Sequence, residues 1–97
     1  MMLPFVQALQ NGDANSTSQF IKVAAVPKHF VAYSLEEADG EMRFYFDAKV
    51  TDQDLQDTYL ATFKAAVIDG GVRGLMCSYN QVNGEQRSSG SITVECI

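Results

Sequence analysis

Residues able to hold or move charge gather at the ends of two short apolar runs. Lys28 and His29 follow the run Phe20 to Pro27, and Met76, Ser78 and Tyr79 close a second run, Val72 to Tyr79, with Asn80 after it. Lys28 and His29 together offer several N–H donors, and burying such groups without partners is costly. Two arrangements avoid that cost. The pair can snorkel to water as a strand-end cap, or it can aim its donors into a polar pocket. Hydroxyl-rich ligands such as sugars are held well by charged or bidentate donors of this kind. Met76 and Tyr79 admit the same two readings, core packing or pocket lining. Ser78 with His29 has the residue types for nucleophilic catalysis. No GxSxG elbow surrounds Ser78 and no acid stands in a supporting motif, so it is not read as a nucleophile.

Other chemistries are excluded by what is missing. The sequence holds one histidine and two cysteines, Cys77 and Cys96, and a zinc site draws several such ligands together. No metal and no cofactor is expected. The cysteines could pair, but two thiols do not make a disulfide framework. The formal net charge is −5, with acids spread along the chain. Binding to nucleic acid or to an anionic membrane is therefore not expected, because both need a basic face. No apolar run approaches the ~20 residues of a membrane span. The start, Met1 to Phe5, lacks a basic n-region and is not read as a signal peptide, and no compartment is assigned. The acids Glu36, Glu37, Asp39 and Glu41 are most simply a solvated loop.

The elements that must position these residues follow from pattern. Phe5 to Gln10 predicts a helix ending at Gly12, and Asp13 to Gln19 a loop. Phe20 to Pro27 is apolar on both parities, which predicts a strand covered on both faces. Ser34 to Met42 predicts an exposed loop, and Arg43 to Val50 a short strand or extended segment. Thr51 is a good N-cap, and Asp52, Asp54 and Asp57 favour the positive end of a helix dipole. Asp54 takes the place a capping box gives to Glu. Leu55, Tyr59, Phe63 and Val67 then form one stripe, joined by Leu60 and Ala66, before Asp69-Gly70-Gly71. Val72 to Tyr79 predicts a second strand, Asn80 to Gly84 a loop, Gln86 to Gly90 a polar stretch, and Ser91 to Ile97 has β-propensity. The alternation predicts an α/β fold with about two parallel strands and crossover helices. Two such steps cannot close a (β/α)₈ barrel, which needs roughly 250 residues.

The stretches KVAAVPKHFVAYSLE (residues 22 to 36) and RFYFDAKVTDQDLQDTYLATFKAAV followed by MCSYNQVNG (within residues 43 to 84) resemble glycoside hydrolase family 3, in particular its β-xylosidase and β-glucosidase members. The opening FVQALQNGD resembles the helix before the Lys-His strand of that family. The resemblance covers about residues 5 to 84, leaving 85 to 97 as a divergent tail. It implies that residues 1 to 97 are part of the family's N-terminal (β/α)₈ barrel domain, a TIM barrel. It implies a retaining, exo-acting β-glycosidase that removes terminal β-linked sugars in carbohydrate breakdown. By the same resemblance Lys28, His29, Met76 and Tyr79 bind the sugar in the −1 subsite, and cis peptides occur around the Lys-His pair.

Retaining hydrolysis needs two carboxyl groups about 5 Å apart. The family's nucleophile is an Asp in a Ser-Asp-Trp-like motif, and no such motif occurs in this sequence. No catalytic residue is therefore assigned, and the chain by itself is expected to be inactive. Arg43 lies after the Lys-His strand, whereas the family's sugar-binding Arg lies before it, so Arg43 is expected to anchor the loop ahead of the Thr51 helix. The expected partner is a carbohydrate, a β-xyloside or β-glucoside. The alternative is a non-catalytic sugar-binding or interaction remnant. A domain of two strands and about two helices buries little apolar surface, so self-association is expected as well.

Overall fold

The computed structural model describes residues 2–12 and 20–86. Helix α1, Met2–Asn11, ends where Gly12 turns at φ +76° and donates its N–H to Ala8 O. This is the left-handed C-terminal stop that glycine permits without steric cost. The buried Gln10 fixes α1 to the rest of the molecule. Its Oε1 accepts from Ala25 N and its Nε2 donates to Gly71 O.

Strand β1 is Lys28–Phe30, shorter and later than the predicted Phe20–Pro27 strand. Residues 20–27 run as bends and irregular chain. A run apolar on both parities becomes a central strand when neighbours cover it on both sides. Here Phe20, Val23 and Val26 are exposed and Ala25 is buried. The segment still approaches its parallel partner, since Arg73 N donates to Ala25 O and Met76 N to Pro27 O. β1 pairs in parallel with β5, Met76–Cys77.

Two hairpins replace predicted loops. β2, Glu37–Ala38, pairs antiparallel with β3, Glu41–Met42. Between them Asp39 and Gly40 have φ +52° and +84°, the two positive angles of a type I′ turn. β6, Gln81–Val82, pairs antiparallel with β7, Glu85–Gln86, turning through Asn83 and Gly84 at φ +53° and +84°. Asp-Gly and Asn-Gly are strong hairpin signals, and turn chemistry outweighed the polar composition that suggested loops. β4, Asp47–Ala48, lies parallel to β6 and completes a three-stranded sheet.

The helix after Thr51 forms as its sequence predicts. Thr51 Oγ1 accepts from Asp54 N at 3.1 Å, and its hydroxyl donates to Asp54 Oδ2 at 2.7 Å. The shorter Asp thus meets the hydroxyl, where a capping-box Glu reaches the backbone N–H. Residues 52–68 run helically as Asp52–Asp54, a π-helical Leu55–Leu60 and Ala61–Ile68, together α2. A four-residue repeat drifts by ~40° per step on a 3.6-residue helix, and the wider i→i+5 turn counters that drift. Leu55, Tyr59, Leu60 and Phe63 accordingly all reach the core formed by Val31, Ala32 and Val82. Phe63 meets Phe30 edge to face at 5.0 Å. Ala66 is buried, whereas Val67 at the end of the stripe is exposed. The result is a mixed α/β arrangement with two helices, in which α2 connects both parallel pairs, β1 to β5 and β4 to β6.

Candidate functional site

The register of β1 on β5 decides where the Lys28–His29 pair sits. Lys28 is opposite Met76, but Phe30 is opposite Cys77. Two steps on β1 match one on β5, so His29 is the extra residue of a bulge. Bulges re-aim side chains and recur beside functional sites. The peptide bonds Lys28–His29 and Phe30–Val31 are both cis, where the resemblance to family 3 places such bonds. Lys28 is exposed and His29 half-buried. Neither makes a hydrogen bond or ion pair among the described residues, so the donors of both remain open to a ligand. His29 is oriented by a ring contact with Tyr33, centroids 4.7 Å apart.

The turn after β1 is held from beneath by two fully buried polar side chains, Ser78 and Asn80. Val31 N donates to Ser78 Oγ at 2.9 Å, and Ser78 Oγ donates back to Val31 O. Asn80 Nδ2 donates to the carbonyls of Val31, Ala32 and Gln81. Three carbonyls around Nδ2 fix the amide orientation and leave Oδ1 buried without a partner among the described residues. Ala32 stands at φ +55°, a left-handed conformation costing an L-residue about 1–2 kcal/mol. The clamp on Val31 and Ala32 holds that strained turn. Ser78 Oγ is thus committed to backbone, which agrees with its rejection as a nucleophile.

Of the four predicted sugar-binding residues, Lys28, His29 and Met76 meet at one end of the β1–β5 pair. Met76 is 49% exposed and Tyr79 50% exposed, so neither is a core residue here. Tyr79 lies beyond the strand end, its ring packed by Phe44 at 5.0 Å and by the Arg43 guanidinium at 5.6 Å. Arg43 also pairs with Glu36 at 3.3 Å, and Tyr33 donates to the same Glu36 oxygen. The Tyr33 phenol is pushed up by desolvation and by its bond to Glu36. The Arg43 guanidinium is pushed up chiefly by the Tyr33 hydroxyl, and further by Glu36. Glu37, Asp39 and Glu41 are solvent-exposed. The thiol of Cys77 is free and exposed. Cys96, the strand propensity of Ser91 to Ile97 and most of the expected divergent tail lie outside the described residues. No group of three or more His, Cys, Asp or Glu that could hold a metal occurs among the described residues, and no described helix is long and apolar enough to cross a membrane.

The family model for the glycosyl hydrolase family 3 N terminal domain matches residues 1–95. The chain belongs to glycosyl hydrolase family 3. Over 81 residues this family 3 chain is 49% identical to a beta-xylosidase/alpha-L-arabinofuranosidase 2 of Medicago sativa subsp. varia, covering 84% of the chain and 10% of that relative. With the same coverage it is 51% identical to beta-D-xylosidase 1 of Arabidopsis thaliana. Over 92 residues, 95% of the chain and 12% of the relative, it is 41% identical to a probable exo-1,4-beta-xylosidase of Neosartorya fischeri. The chain thus spans about a tenth of the length of these curated relatives. The resemblance read from KHF and MCSYNQVNG therefore identified the family correctly. Sequence reasoning missed the structural work of Ser78 and Asn80, whose signal was polarity inside an otherwise apolar strand end.

Proposed function

We propose that this family 3 chain supplies part of the −1 sugar subsite of a retaining, exo-acting β-glycosidase acting on terminal β-linked xylose. Lys28 and His29 donate to sugar hydroxyls, while Met76 and Tyr79 line the apolar face of the sugar ring. The catalytic carboxylates are supplied from outside these 97 residues, within a (β/α)₈ barrel of which β1 and β5 are parallel staves. The bulge in β1 beside Met76, where the Lys28 and His29 side chains have no hydrogen-bond partner among the described residues, carries this reading. Charged donors beside a parallel strand pair suit polyol recognition. The xylosidase names of the relatives favour xylose over glucose. Phe5, Leu9, Phe20 and Ile68 are exposed, and apolar side chains left in water favour self-association of the isolated chain.

Titration with methyl β-xyloside, followed by NMR, tests the subsite. Signals of Lys28, His29 and Tyr79 are expected to move at millimolar sugar, and to stay put in the Lys28→Ala, His29→Ala double variant. No movement in the wild type refutes the reading. The chain is also expected to release no nitrophenol from an aryl β-xyloside. Turnover above that of the double variant shows instead that the catalytic machinery lies within the chain.

A further inference from the structure

His29 and Tyr79, both assigned to the proposed subsite, are joined by a run of contacts at the base of the β2–β3 hairpin. The His29 ring meets the Tyr33 ring at 4.7 Å. The Tyr33 hydroxyl donates to Glu36 Oε2 at 3.1 Å. The same oxygen accepts from Arg43 Nη1 at 3.3 Å. The Arg43 guanidinium lies 4.8 Å over the Phe44 ring and 5.6 Å over the Tyr79 ring. Arg43 N also donates to Glu36 O at 2.8 Å, which closes the base of the hairpin. Both branches converge on one carboxylate oxygen.

We propose that Glu36 is a positioning residue that holds His29, through Tyr33, and Tyr79, through Arg43, in fixed register at the sugar subsite. The inference rests on the reading of Lys28, His29, Met76 and Tyr79 as that subsite. Neither ring is locked by burial, since His29 is half-buried and Tyr79 is half-exposed. A ring free to change rotamer loses that freedom on binding, and fixing it beforehand raises affinity. A planar guanidinium stacks on aromatic faces while its fork grips a carboxylate, so Arg43 suits both of its contacts. A solvated loop acid is the competing account of Glu36. Glu37, Asp39 and Glu41 fit that account, having no ion pair among the described residues, whereas Glu36 takes two donors on one oxygen. Its side chain and that of Arg43 remain 68% and 44% exposed, so the effect is modest, about two- to fivefold in an equilibrium.

The test is NMR on the full chain. The ring signals of His29 and Tyr79 and the dissociation constant for methyl β-xyloside are followed in Glu36→Ala, Glu36→Gln, Arg43→Leu and Glu41→Gln. These residues lie at the surface, and unchanged α2 amide signals check the fold. Glu36→Ala is expected to move both rings and weaken sugar binding about two- to fivefold. Glu36→Gln, which keeps an acceptor oxygen, is expected to restore part of that loss. Arg43→Leu should move chiefly Tyr79, and Glu41→Gln neither ring. If both rings keep their wild-type signals in Glu36→Ala while the sugar binds, the positioning role is overturned and the subsite stands. Equal movement in Glu41→Gln overturns it too. If the wild type binds no sugar, the subsite reading falls and takes this inference with it.

Discussion

Replacing Ser78 by alanine is expected to destabilise the chain more than replacing Asn80, although Asn80 makes more hydrogen bonds. Val31 is 1% exposed, and its N–H donates to Ser78 Oγ at 2.9 Å. No other acceptor takes that N–H among the described residues, so Ser78→Ala strands a buried donor. An orphaned buried group of this kind costs about 1–3 kcal/mol. The Asn80 bonds are more replaceable. Those to Val31 O and Ala32 O are 3.3 and 3.4 Å long, near the outer limit for an N–H donor. Val31 O keeps Ser78 Oγ, and Ala32 O keeps Ser34 N. Asn80→Ala also deletes a buried Oδ1 that has no partner among the described residues, and its desolvation cost goes with it. What remains is mainly the 2.9 Å bond to Gln81 O, about 1 kcal/mol. In a domain of this size each kcal/mol moves the melting temperature by about 4–8 °C. With about 2 kcal/mol for Ser78→Ala, its midpoint falls by about 8–16 °C and that of Asn80→Ala by about half as much. Circular dichroism melts at low concentration read the difference, and hydrogen exchange at the Val31 amide localises it. If Asn80→Ala melts lower than Ser78→Ala, the stranded donor is not the controlling term.

The remaining predictions concern the frame around the site. Asp47 is held below the usual carboxylate range, first by the Lys49 ammonium and then by the Gly84 N–H. A lowered folded-state value means that the stabilisation is complete above the unfolded value of ~3.9 and is lost as pH falls through the folded one. Exchange at the Gly84 amide, whose donor bond to Asp47 is 2.9 Å, should therefore quicken in that acid window beyond the change seen in Asp47→Asn; identical profiles count against the assignment. Thr51→Ala removes the acceptor of Asp54 N and is expected to cost about 1 kcal/mol, with Thr51→Ser nearly neutral. Thermal melts read it, and equal midpoints for wild type and Thr51→Ala remove the cap from the account.

What the sequence disclosed, it disclosed through local chemistry. The Thr51 cap and the 55–59–63 stripe depend on residues within a turn or two of each other, and both formed. The hairpins were equally local, but their Asp39-Gly40 and Asn83-Gly84 signals are two residues long and lay inside polar stretches. Phe20 to Pro27 failed for a different reason. Its two-sided apolar pattern calls for cover on both faces, and only Ala25 along it is buried. The nearness of Lys28 and Met76 was legible from the two apolar runs, but their place was not: Lys28 and His29 lie within β1 and Met76 opens β5, where the apolar pattern put the pair after a strand. Their family was legible from KHF and MCSYNQVNG together, as the match over residues 1–95 establishes.

The orientation of the site was not legible, and the reason is physical. A bulge is a property of two strands in register, and the register of Lys28 on Met76 is set by residues about half the chain away. Nothing near His29 in sequence says that it will be the extra residue. The same holds for the turn that follows. Alanine at φ +55° is disfavoured locally, so local propensity predicts against the conformation that Ala32 adopts. It persists with the help of Ser78, arriving from the second strand, which supplies the acceptor for the Val31 N–H that the turn does not provide. The two halves of the site are therefore interdependent. The first carries the donors of the proposed subsite, and the second carries the buried polar groups that hold the turn directly after them. A substitution at Ser78 lies outside the proposed subsite, yet it acts on the turn that directly follows β1.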